Sequence, residues 1–515
     1  MSAAGPISSD AVVAVIGAGA MGSGIAQVAA QAGHRVLLQD ARADAAASAR
    51  RAVAKTLTAL AGKGKLAPDA AEAAIARITP VASVSDVRDA ALVVEAIVED
   101  LDVKRALFAE LEGIVGDTAI LASNTSSLSI TALAAGLRVP QRVVGMHFFN
   151  PAPILPLVEV VSGLATAREV AETVHATAAA WGKTPVHASS TPGFIVNRCA
   201  RPFYAEGLRL LAERAADCAT IDAVMREAGG FRMGPFELMD LIGLDVNFAV
   251  TRSVWQAYFH DPRFLPSVLQ RELVDAGFLG RKSGRGFYDH APGAVQPQPR
   301  TEARRDAPRG ITVHGALGPA RALVPRWRAA GIAVDEHDAV QAFPDGVIAA
   351  SGAWLALTDG RTATARALAT GAHRLAVFDL ALDYGRCTRL AIAPADCCDA
   401  DALSAACGAL QAAGIAVSRF DDVAGLAVMR TVAMLANEAA DAVTQGVATP
   451  PDLDLAMQKG VNYPRGPLAW GDTLGAARVR DVLRHLAEHY GEDRYRTSPL
   501  IERRAAMGGK LVLTA

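Results

Sequence analysis

A short apolar run, followed at once by a glycine-rich turn and a helical pattern, constrains the fold of this chain more than any other feature. Residues 12–16 read VVAVI, residues 17–22 read GAGAMG, and residues 23–32 have a helical pattern. In this strand–turn–helix context Gly17 permits the turn, Gly19 lets backbone N–H groups approach a pyrophosphate, and Gly22 lets helix and strand pack closely. The pattern predicts a doubly wound α/β domain whose loop contacts a dinucleotide through Gly17, Ala18, Gly19, Ala20, Met21 and Gly22.

The second predicted strand, residues 35–40, ends in an acid at the distance expected for a dinucleotide fold. Asp40 can accept hydrogen bonds from a ribose diol and would repel a 2′-phosphate, which favours NAD over NADP. The alternative interpretation is that Asp40 is an N-cap for a helix beginning at Ala41.

Further predicted strands at 91–95, 118–122 and 142–146 alternate with helices at about 43–62, 68–78 and 102–115. This alternation indicates a parallel sheet, and ligands of such sheets bind outside the carboxyl ends of the strands. Polar clusters fall at three of these ends, at residues 99–104, at 123–127 and at His147.

His147 and Glu159 form the strongest candidate catalytic pair in the sequence. The histidine begins the segment HFFNP, and Glu159 follows twelve residues later in an otherwise apolar strand, residues 157–161. A histidine that moves a proton near neutral pH needs an orienting acid, and a lone carboxylate in an apolar strand needs a partner. The alternative is a capped turn and an edge-strand glutamate.

A long helical region begins at residues 191–198, TPGFIVNR. Asn197 places an amide in an apolar helical segment, where it needs hydrogen-bond partners, either structural ones or a substrate carbonyl. Arg201 lies four residues later, one helical turn along the same face, where it would pair with the distal carboxylate of a substrate; the alternative is a surface or inter-domain arginine paired with Glu206. The basic turn at Lys63 is either solvated or contacts an anion of a large substrate.

The last hundred residues repeat the helical region at a constant offset of 232, for example 466 − 234 = 232. Seven matches at one offset indicate a duplication. The two copies differ at Asn197, which corresponds to Met429, so the second copy is predicted to be structural. The matched positions are Gly182 and Gly414, Gly193 and Gly425, Arg198 and Arg430, Glu206 and Glu438, Asp222 and Asp454, Gly234-Pro235 and Gly466-Pro467, and Asp240 and Asp472.

Between the two copies, residues 308–422 again alternate between strand and helix patterns. Where a phosphate loop would be, residues 315–320 read GALGPA, so Leu317 and Ala320 replace glycines that the loop requires. We therefore predict a degenerate α/β module without a nucleotide. The predicted domains are an α/β domain at 1–190, a helical domain at 191–290, a linker at 291–307, the degenerate module at 308–422 and the second helical copy at 423–515.

Composition excludes several function classes. A chain of 515 residues is too long for one core and should hold roughly three or four domains. Its net charge of −2 gives no electrostatic case for binding nucleic acid or an anionic membrane, and no apolar run approaches a membrane span. The six cysteines lack metal-ligand spacing, and residues 1–10 lack a basic stretch, so we expect reduced thiols, no metal, no signal peptide and a cytoplasmic location.

Six motifs together resemble the L-3-hydroxyacyl-CoA dehydrogenase family over residues 10–290. They are VIGAGAMGSGIA at 15–26, SNTSSL at 123–128, HFFNP at 147–151, PGFIVNR at 192–198, MGPFEL at 233–238 and GRKSGRGFY at 280–288. The resemblance implies that His147 is the base, that Glu159 is its carboxylate partner, that Ser126 hydrogen-bonds the reacting oxygen and that Asn197 positions the substrate. It also implies NAD contacts from Asp40, Glu99, Lys104, Ser126, Asn150 and Lys282, and coenzyme A contacts from Thr56 and Lys63.

The longer layout, with NYPRGPLAWG at 462–471, resembles the phenylacetate-catabolic branch of that family, whose members oxidise 3-hydroxyadipyl-CoA. This resemblance implies NAD-dependent oxidation of a (3S)-3-hydroxyacyl-CoA to a 3-oxoacyl-CoA. The alternatives are a 3-hydroxybutyryl-CoA or fatty-acid β-oxidation dehydrogenase, and a non-catalytic crystallin-like relative. Because helical domains usually pair between subunits in this family, we expect the two copies here to pair within one chain as a pseudo-dimer, with a homodimer possible.

Overall fold

The computed structural model describes residues 5–512 and divides into two compact units. Among the described residues, the first unit contains residues 5–198 together with Gln445–Val461, and the second contains Cys199–Thr444 together with residues 462–512. Two segments that the sequence pattern assigns to helical domains belong to the first unit, residues 191–198 and residues 445–461. The segment 445–461, which the repeat pattern assigns to the second helical copy, packs with the first α/β domain instead.

The first α/β domain alternates strands and helices as the sequence predicts. Its strands are β1 (Val12–Ile16), β2 (Arg35–Gln39), β3 (Ile78–Val81), β4 (Ala90–Glu95), β5 (Ile120–Ser123), β6 (Val143–Phe148), β7 (Leu157–Ser162) and β8 (Thr184–Ser189). Its helices are α1 (Ala20–Gln31), α2 (Ala45–Gly62), α3 (Pro68–Arg77), α4 (Leu101–Ile114), α5 (Ile130–Ala134) and α6 (Arg168–Ala180), and α7 (Val196–Cys199) follows β8.

These eight strands form one sheet in the order β3-β2-β1-β4-β5-β6-β7-β8. Strands β1 to β6 are parallel, but β7 pairs antiparallel with β6, and β8 is parallel to β7. The expectation of a uniformly parallel sheet was therefore wrong for the last two strands. The proline-rich segment 149–156 is too short for a helical crossover, so the chain turns back directly and the next strand runs antiparallel.

The second unit begins with helices α8 (Arg201–Ala212), α9 (Cys218–Glu227), α10 (Pro235–Ile242), α11 (Leu244–Ala257) and α12 (Val268–Asp275). A second sheet follows, with strands β9 (Gly310–His314), β10 (Ala333–His337), β11 (Val347–Ala350), β12 (Ala353–Leu357), β13 (Leu375–Phe378), β14 (Arg389–Pro394) and β15 (Ala416–Arg419) in the order β10-β9-β11-β12-β13-β14-β15. Helices α13 (Leu323–Ala329), α14 (Ala363–Thr370) and α15 (Ala400–Ala412) accompany it.

The chain ends in helices α16 (Val428–Thr444), α17 (Pro450–Gly460), α18 (Pro467–Leu474), α19 (Ala476–Tyr490) and α20 (Pro499–Met507). Within the second unit α8 of the first copy packs against α16 of the second copy. The buried Arg430 donates from Nε to Glu206 at 2.7 Å, and the buried Arg263 pairs with Glu438 at 3.2 Å. Helix α17 belongs to the first unit, where it packs on β7 and β8.

Candidate active site

The antiparallel pairing of β6 with β7 brings His147 and Glu159 together. The two residues are direct cross-strand partners, so both side chains project from the same face of the sheet. Nδ1 of His147 lies 2.6 Å from Oε2 of Glu159. Glu159 is fully buried, and its Oε1 accepts the backbone N–H groups of Ile195 (3.1 Å) and Val196 (2.9 Å). The edge-strand alternative is wrong, because β7 lies between β6 and β8.

This arrangement sets the tautomer of the imidazole. A carboxylate only accepts hydrogen bonds, so Nδ1 of His147 must donate its proton to Glu159. In the neutral ring Nε2 then carries the lone pair and can accept a proton from a ligand. The backbone donors on Oε1 hold the carboxylate in place without competing for Oε2.

The loop after β5 carries Ser126 and is organised by Glu99. Oε1 of Glu99 accepts from the hydroxyl of Thr125 at 2.5 Å, from the N–H of Ser126 at 3.0 Å and from the hydroxyl of Ser127 at 3.0 Å. Burial raises the pKa of Glu99, but the Thr125 hydrogen bond and the charge of Lys104 outweigh it, so the pKa lies below its ordinary value. Glu99 therefore stays ionised and holds the serine loop.

Asn197 lies against the same loop. Its Nδ2 donates to the carbonyl oxygen of Ser126 at 3.3 Å. The loop is also tied to the histidine strand, because Oδ1 of Asn124 accepts the N–H of Phe148 at 2.8 Å. The structure thus brings Ser126, His147, Glu159 and Asn197 together at the carboxyl ends of β5 and β6.

The glycine loop has the geometry of the dinucleotide pattern. Gly17 has φ +102°, and a Cβ there would lie 2.5 Å from the carbonyl oxygen of Ala96. A Cβ on Gly22 would lie 1.8 Å from the carbonyl oxygen of Gly17, so only glycine fits. At Gly19, by contrast, no described atom other than those of Gly19 and its two neighbours in the chain lies within 4 Å of a Cβ position. Helix α1 begins at Ala20, and Met21 lies in its first turn. Open space at a helix N-terminus suits an anionic ligand.

Asp40 closes this loop from the end of β2. Its Oδ2 accepts the N–H of Ala18 at 2.7 Å, and its Oδ1 accepts the N–H of Arg42 at 2.9 Å. The guanidinium of Arg42 also pairs with it, and this hydrogen bond is the main reason that the pKa of Asp40 falls to about 2. The N-cap alternative is wrong, because α2 begins only at Ala45.

Lys104 is buried in an ion-pair network, whereas the resemblance predicts an NAD contact. Its Nζ lies 2.5 Å from Glu95 and 3.2 Å from Glu99. Glu95 also accepts the hydroxyl of Ser123 at 2.6 Å. Sequence reasoning assigned no role to Glu95 or Arg42; the available signal was an acid that ends an apolar strand beside the glycine-loop strand, and a cation two residues after Asp40.

The predicted peripheral contacts lie in different places. Thr56 lines a cavity of about 420 Å³ between α1, α2 and the segment after Asn150. Lys63 is exposed at the end of α2, and Asn150 is exposed before a cis peptide bond to Pro151. Lys282 lies in the second unit, where its Nζ is 2.5 Å from Asp245.

Arg201 is buried in the second unit. Its guanidinium donates to the hydroxyl of Thr251 at 3.0 Å and lies 4.8 Å from the ring centroid of Tyr204. Both residues line a mainly apolar cavity of about 130 Å³ with Arg201. The alternative of a surface arginine paired with Glu206 is therefore wrong, because Arg201 is buried and Glu206 is bound by Arg430 and Arg209.

Within the described residues 5–512, no group of three or more His, Cys, Asp or Glu side chains is arranged to hold a metal ion. None of the described helices combines the length and apolarity that a membrane span requires.

Family models match most of the chain. The model of the 3-hydroxyacyl-CoA dehydrogenase NAD binding domain matches residues 12–191. The model of the 3-hydroxyacyl-CoA dehydrogenase C-terminal domain matches twice, at 193–290 and 425–510. A model of the 3-hydroxybutyryl-CoA dehydrogenase reduced Rossmann-fold domain matches 355–423. The chain belongs to the 3-hydroxyacyl-CoA dehydrogenase family. The double match confirms the predicted duplication, and the third match confirms a degenerate α/β module between the copies.

Individual relatives agree with this assignment. The chain is 45% identical over 496 residues to 3-hydroxyadipyl-CoA dehydrogenase of Escherichia coli (strain K12), covering 96% of this chain and 97% of that protein. It is 44% identical over 276 residues to the probable 3-hydroxybutyryl-CoA dehydrogenase of Deinococcus radiodurans, covering 54% of this chain and 99% of that protein. A crystal structure of 3-hydroxybutyryl-CoA dehydrogenase from Escherichia coli K12 superposes with a TM-score of 0.88 at 43% identity, covering 97% and 99% of the two chains.

Family membership confirms four predictions. The fold is a Rossmann-like α/β domain followed by a helical domain, a second sheet module and a second helical region. The protein is an oxidoreductase, and its cofactor is NAD. Its substrate is an acyl-CoA.

Proposed function

We propose that this dehydrogenase oxidises (3S)-3-hydroxyadipyl-CoA to 3-oxoadipyl-CoA in phenylacetate breakdown. The relative of that name matches 96% of this chain, including the second sheet module and the second helical copy. Chemically, the reaction removes the hydroxyl proton and passes the C3 hydride to a bound NAD, which supplies the hydride acceptor.

The His147–Glu159 pair carries the proposed mechanism. Nδ1–H of His147 is held by Glu159, so Nε2 is the atom that accepts the hydroxyl proton of the substrate. The buried carboxylate then stabilises the imidazolium, which would be costly in an apolar site without it. In the reverse direction the same nitrogen returns the proton.

Ser126 and Asn197 orient the substrate in this proposal. The Ser126 hydroxyl hydrogen-bonds the reacting oxygen, while the Asn197 amide, anchored on the Ser126 carbonyl, fixes the loop and the substrate carbonyl. Holding the reacting atoms near attack distance removes much of the entropic barrier. We therefore assign positioning of the substrate to these two residues and proton transfer to His147.

For the cofactor, we propose that the glycine loop 17–22 binds the pyrophosphate and that Asp40 binds the adenosine ribose. The open space at Gly19 and the low pKa of Asp40 support this assignment. The remaining proposed NAD contacts are Glu99, Lys104, Ser126, Asn150 and Lys282. Among them Lys104 is the least direct, because its ammonium already serves Glu95 and Glu99.

For coenzyme A, we propose that the cavity beside Thr56 receives part of the pantetheine arm. Its lining combines apolar side chains such as Leu60 and Ile154 with the polar Ser23, which suits a chain of alternating methylene and amide groups. The exposed Lys63 at the end of α2 is the proposed partner of a phosphate.

A second candidate substrate is 3-hydroxybutyryl-CoA, because the superposed Escherichia coli structure carries that name. The test is a steady-state comparison of acetoacetyl-CoA with 3-oxoadipyl-CoA reduction by NADH. We expect kcat/KM to be higher for 3-oxoadipyl-CoA by roughly tenfold or more, the worth of one charge-assisted hydrogen bond. Equal values, or a preference for acetoacetyl-CoA, would reject the dicarboxylate assignment.

We also propose that the paired helical copies form an intramolecular pseudo-dimer in a cytoplasmic enzyme, with a homodimer of full chains possible. The α8–α16 packing and the buried Arg430–Glu206 pair support the pseudo-dimer. Truncation near residue 290 should expose the face of the first helical copy that packs against the second copy. We expect the truncated protein to dimerise or aggregate, measured by light scattering. A soluble, active monomer would argue against the pseudo-dimer.

A further inference from the structure

Helix α17 comes from the C-terminal half of the chain but packs on β7 and β8 of the first α/β domain. Its approach is anchored at the edge of the sheet. The N–H of Ser189 in β8 donates to the carbonyl of Val447 at 2.8 Å, and its hydroxyl donates to the carbonyl of Gly446 at 2.8 Å. The last residue of the helix, Gly460, is buried against the sheet.

Two side chains lie so close to Gly460 that a Cβ would be crowded, and a third lies at ordinary contact distance. A Cβ built there would lie 2.6 Å from Cδ2 of Leu157, 3.1 Å from Cγ2 of Val196 and 3.8 Å from the ring of Phe149. The first distance is shorter than real Cβ contacts, and Leu157 is itself fully buried. Any larger residue at 460 must therefore displace at least one of these neighbours.

Each of the three neighbours contacts or adjoins the proposed proton-transfer pair. Phe149 packs on the imidazole of His147, with ring centroids 4.5 Å apart. The N–H of Val196 donates to Oε1 of Glu159 at 2.9 Å. Leu157 precedes Glu159 by two residues on the same face of β7. The small size of Gly460 thus allows α17 to pack closely against the three residues that contact or adjoin the His147–Glu159 pair.

We propose that Gly460 is a positioning residue for the His147–Glu159 pair, supplied by the C-terminal copy of the helical domain. It acts through Phe149, Val196 and Leu157 and touches neither substrate nor cofactor. The inference rests on the proposed role of His147 as the base. It gives the second copy a part in catalysis, although that copy lacks the amide of Asn197.

The repeat offset shows what is special about this position. Position 460 corresponds to 460 − 232 = 228, and residue 228 in the first copy is alanine. In the second unit the carbonyl of Ala228 accepts the N–H of Leu382 beside the second sheet. A Cβ is therefore tolerated where the equivalent helix meets the sheet without a catalytic pair, and is crowded where the pair is present.

The experiment uses Gly460→Ala and Gly460→Val in the full chain. We expect Gly460→Val to lower kcat by roughly tenfold or more, because displacement by about 1 Å misaligns the imidazole. Looser contact between His147 and Glu159 stabilises the imidazolium less, so the acid limb of the kcat/KM profile for alcohol oxidation should move to lower pH. Gly460→Ala should give smaller changes in the same directions. The KM for NAD should stay within about twofold, because the glycine loop is not displaced.

Gly471→Ala is the matched control. Gly471 also lies in a helix of the second copy, and a Cβ there would lie 2.7 Å from Cδ1 of Leu511 and 3.3 Å from Ala436, both outside the first unit. We expect it to lower the unfolding midpoint in a similar way while leaving kcat and the pH profile unchanged. A compensating variant, Leu157→Val with Gly460→Ala, removes the closest atom and should restore most of the wild-type kcat.

The outcomes are distinct. If folded Gly460 variants keep the wild-type kcat and pH profile, the positioning role is wrong. If Gly460→Val fails to fold, Gly460→Ala and its Leu157→Val rescue decide, and equal losses in Gly460→Ala and Gly471→Ala would assign position 460 to stability alone. If His147→Gln retains full activity, the proposed role of His147 as the base is wrong, independently of the results for the Gly460 variants.

Discussion

The two sheets of this chain share one feature, a corner where two antiparallel strands meet the N-terminus of a helix, and only the corner in the first sheet contains the proposed proton-transfer pair. In the first sheet His147 on β6 faces Glu159 on β7. Adding the repeat offset gives 147 + 232 = 379 and 159 + 232 = 391, which are Asp379 and Ala391. The register is also kept, because the N–H of Asp379 donates to the carbonyl of Ala391 at 3.0 Å.

One structural function of the acid is common to both corners. In the first, Oε1 of Glu159 accepts the N–H groups of Ile195 and Val196 where α7 begins. In the second, Asp379 accepts those of Ala427, Val428 and Met429 where α16 begins, at distances of 2.7–3.0 Å. The acid that satisfies the helix N-terminus has thus moved across to the facing strand.

The difference lies in what the second carboxylate oxygen does. Glu159 satisfies the helix with one oxygen and leaves the other for the imidazole of His147. Asp379 uses both oxygens on backbone N–H groups, so neither is left for a base. Helix capping is therefore common to both corners, whereas the histidine bound to the second carboxylate oxygen is found in the first corner and is what the proposed proton transfer requires.

The largest expected effect comes from removing the base. His147→Gln should lower kcat by roughly 10²–10⁴, the usual range for a general acid–base group, because glutamine cannot take up the proton. NADH binding, followed by fluorescence titration, should survive, since the glycine loop is untouched. Asp379→Ala is the matched substitution in the other corner and should leave kcat within about twofold. Turnover like that of the wild type in His147→Gln would remove the distinction between the two corners.

The second expected effect is on stability and concerns Asp379. Asp379→Ala leaves at least three buried N–H groups without their acceptor, and each unsatisfied group costs about 1–3 kcal/mol. The free energy of unfolding measured in urea titrations should therefore fall. Glu159→Ala should lower stability as well, but it should also lower kcat. A loss of activity in Asp379→Ala equal to that in Glu159→Ala would contradict the division of roles.

The stability loss at position 379 should also depend on pH. Burial raises the pKa of Asp379 from 3.8 to about 6, and the backbone hydrogen bonds offset only part of this effect. The folded state therefore binds more protons than the unfolded state between those values. Stability from the protonated acid is present below pH 3.8 and is lost as pH rises through 6. The deficit of Asp379→Ala should be larger at pH 4.5 than at pH 7 by about 2 kcal/mol, because pH 4.5 lies about 1.5 units below the folded-state pKa of about 6. A deficit that grows with pH would contradict this assignment.

Residue patterns predicted the elements of both corners but not how their acids are used. The strand before His147 and the apolar strand around Glu159 were evident, because buried strands read as short apolar runs. The antiparallel direction of β7 was missed, since direction depends on tertiary pairing that the local pattern does not encode. The helix-capping role of Asp379 was also missed, because one aspartate after an apolar run has no signal that distinguishes it from a turn residue.

The choice of cofactor tests a second difference between the two α/β modules, the loop that follows the first strand of each. The loop of the second module keeps Gly315, whose N–H donates to the carbonyl oxygen of His337 at 2.9 Å, just as the N–H of Gly17 donates to the carbonyl oxygen of Gln39 at 2.8 Å. Only the first module combines the open Gly19 with Asp40. Asp40→Ser should weaken NAD binding by roughly tenfold to a hundredfold, through loss of charge-assisted hydrogen bonds to the ribose.

The same substitution should admit NADP, because Arg42 loses the carboxylate with which it pairs and can bind a 2′-phosphate. The measurement is the ratio of kcat/KM for NAD and NADP. Arg42→Ala in the Asp40→Ser background is the control and should remove the gained NADP activity. A wild-type enzyme that already prefers NADP would show that Asp40 does not select the cofactor.

The smallest expected effect concerns Arg201, at a position where the second copy has Ala433, since 201 + 232 = 433. A buried guanidinium in a mainly apolar cavity suits an acyl chain that ends in a carboxylate. Arg201→Leu should lower kcat/KM for 3-hydroxyadipyl-CoA by roughly tenfold, from a lost charge-assisted bond of about 1.5–3 kcal/mol. It should leave kcat/KM for 3-hydroxybutyryl-CoA nearly unchanged, because that substrate has no distal carboxylate.

Thr251→Val is the milder control, since it removes the hydroxyl that accepts from Arg201 at 3.0 Å but keeps the guanidinium. Equal losses of kcat/KM on both substrates would assign Arg201 a structural role. The difference between Arg201 and Ala433 would then have no part in substrate selection.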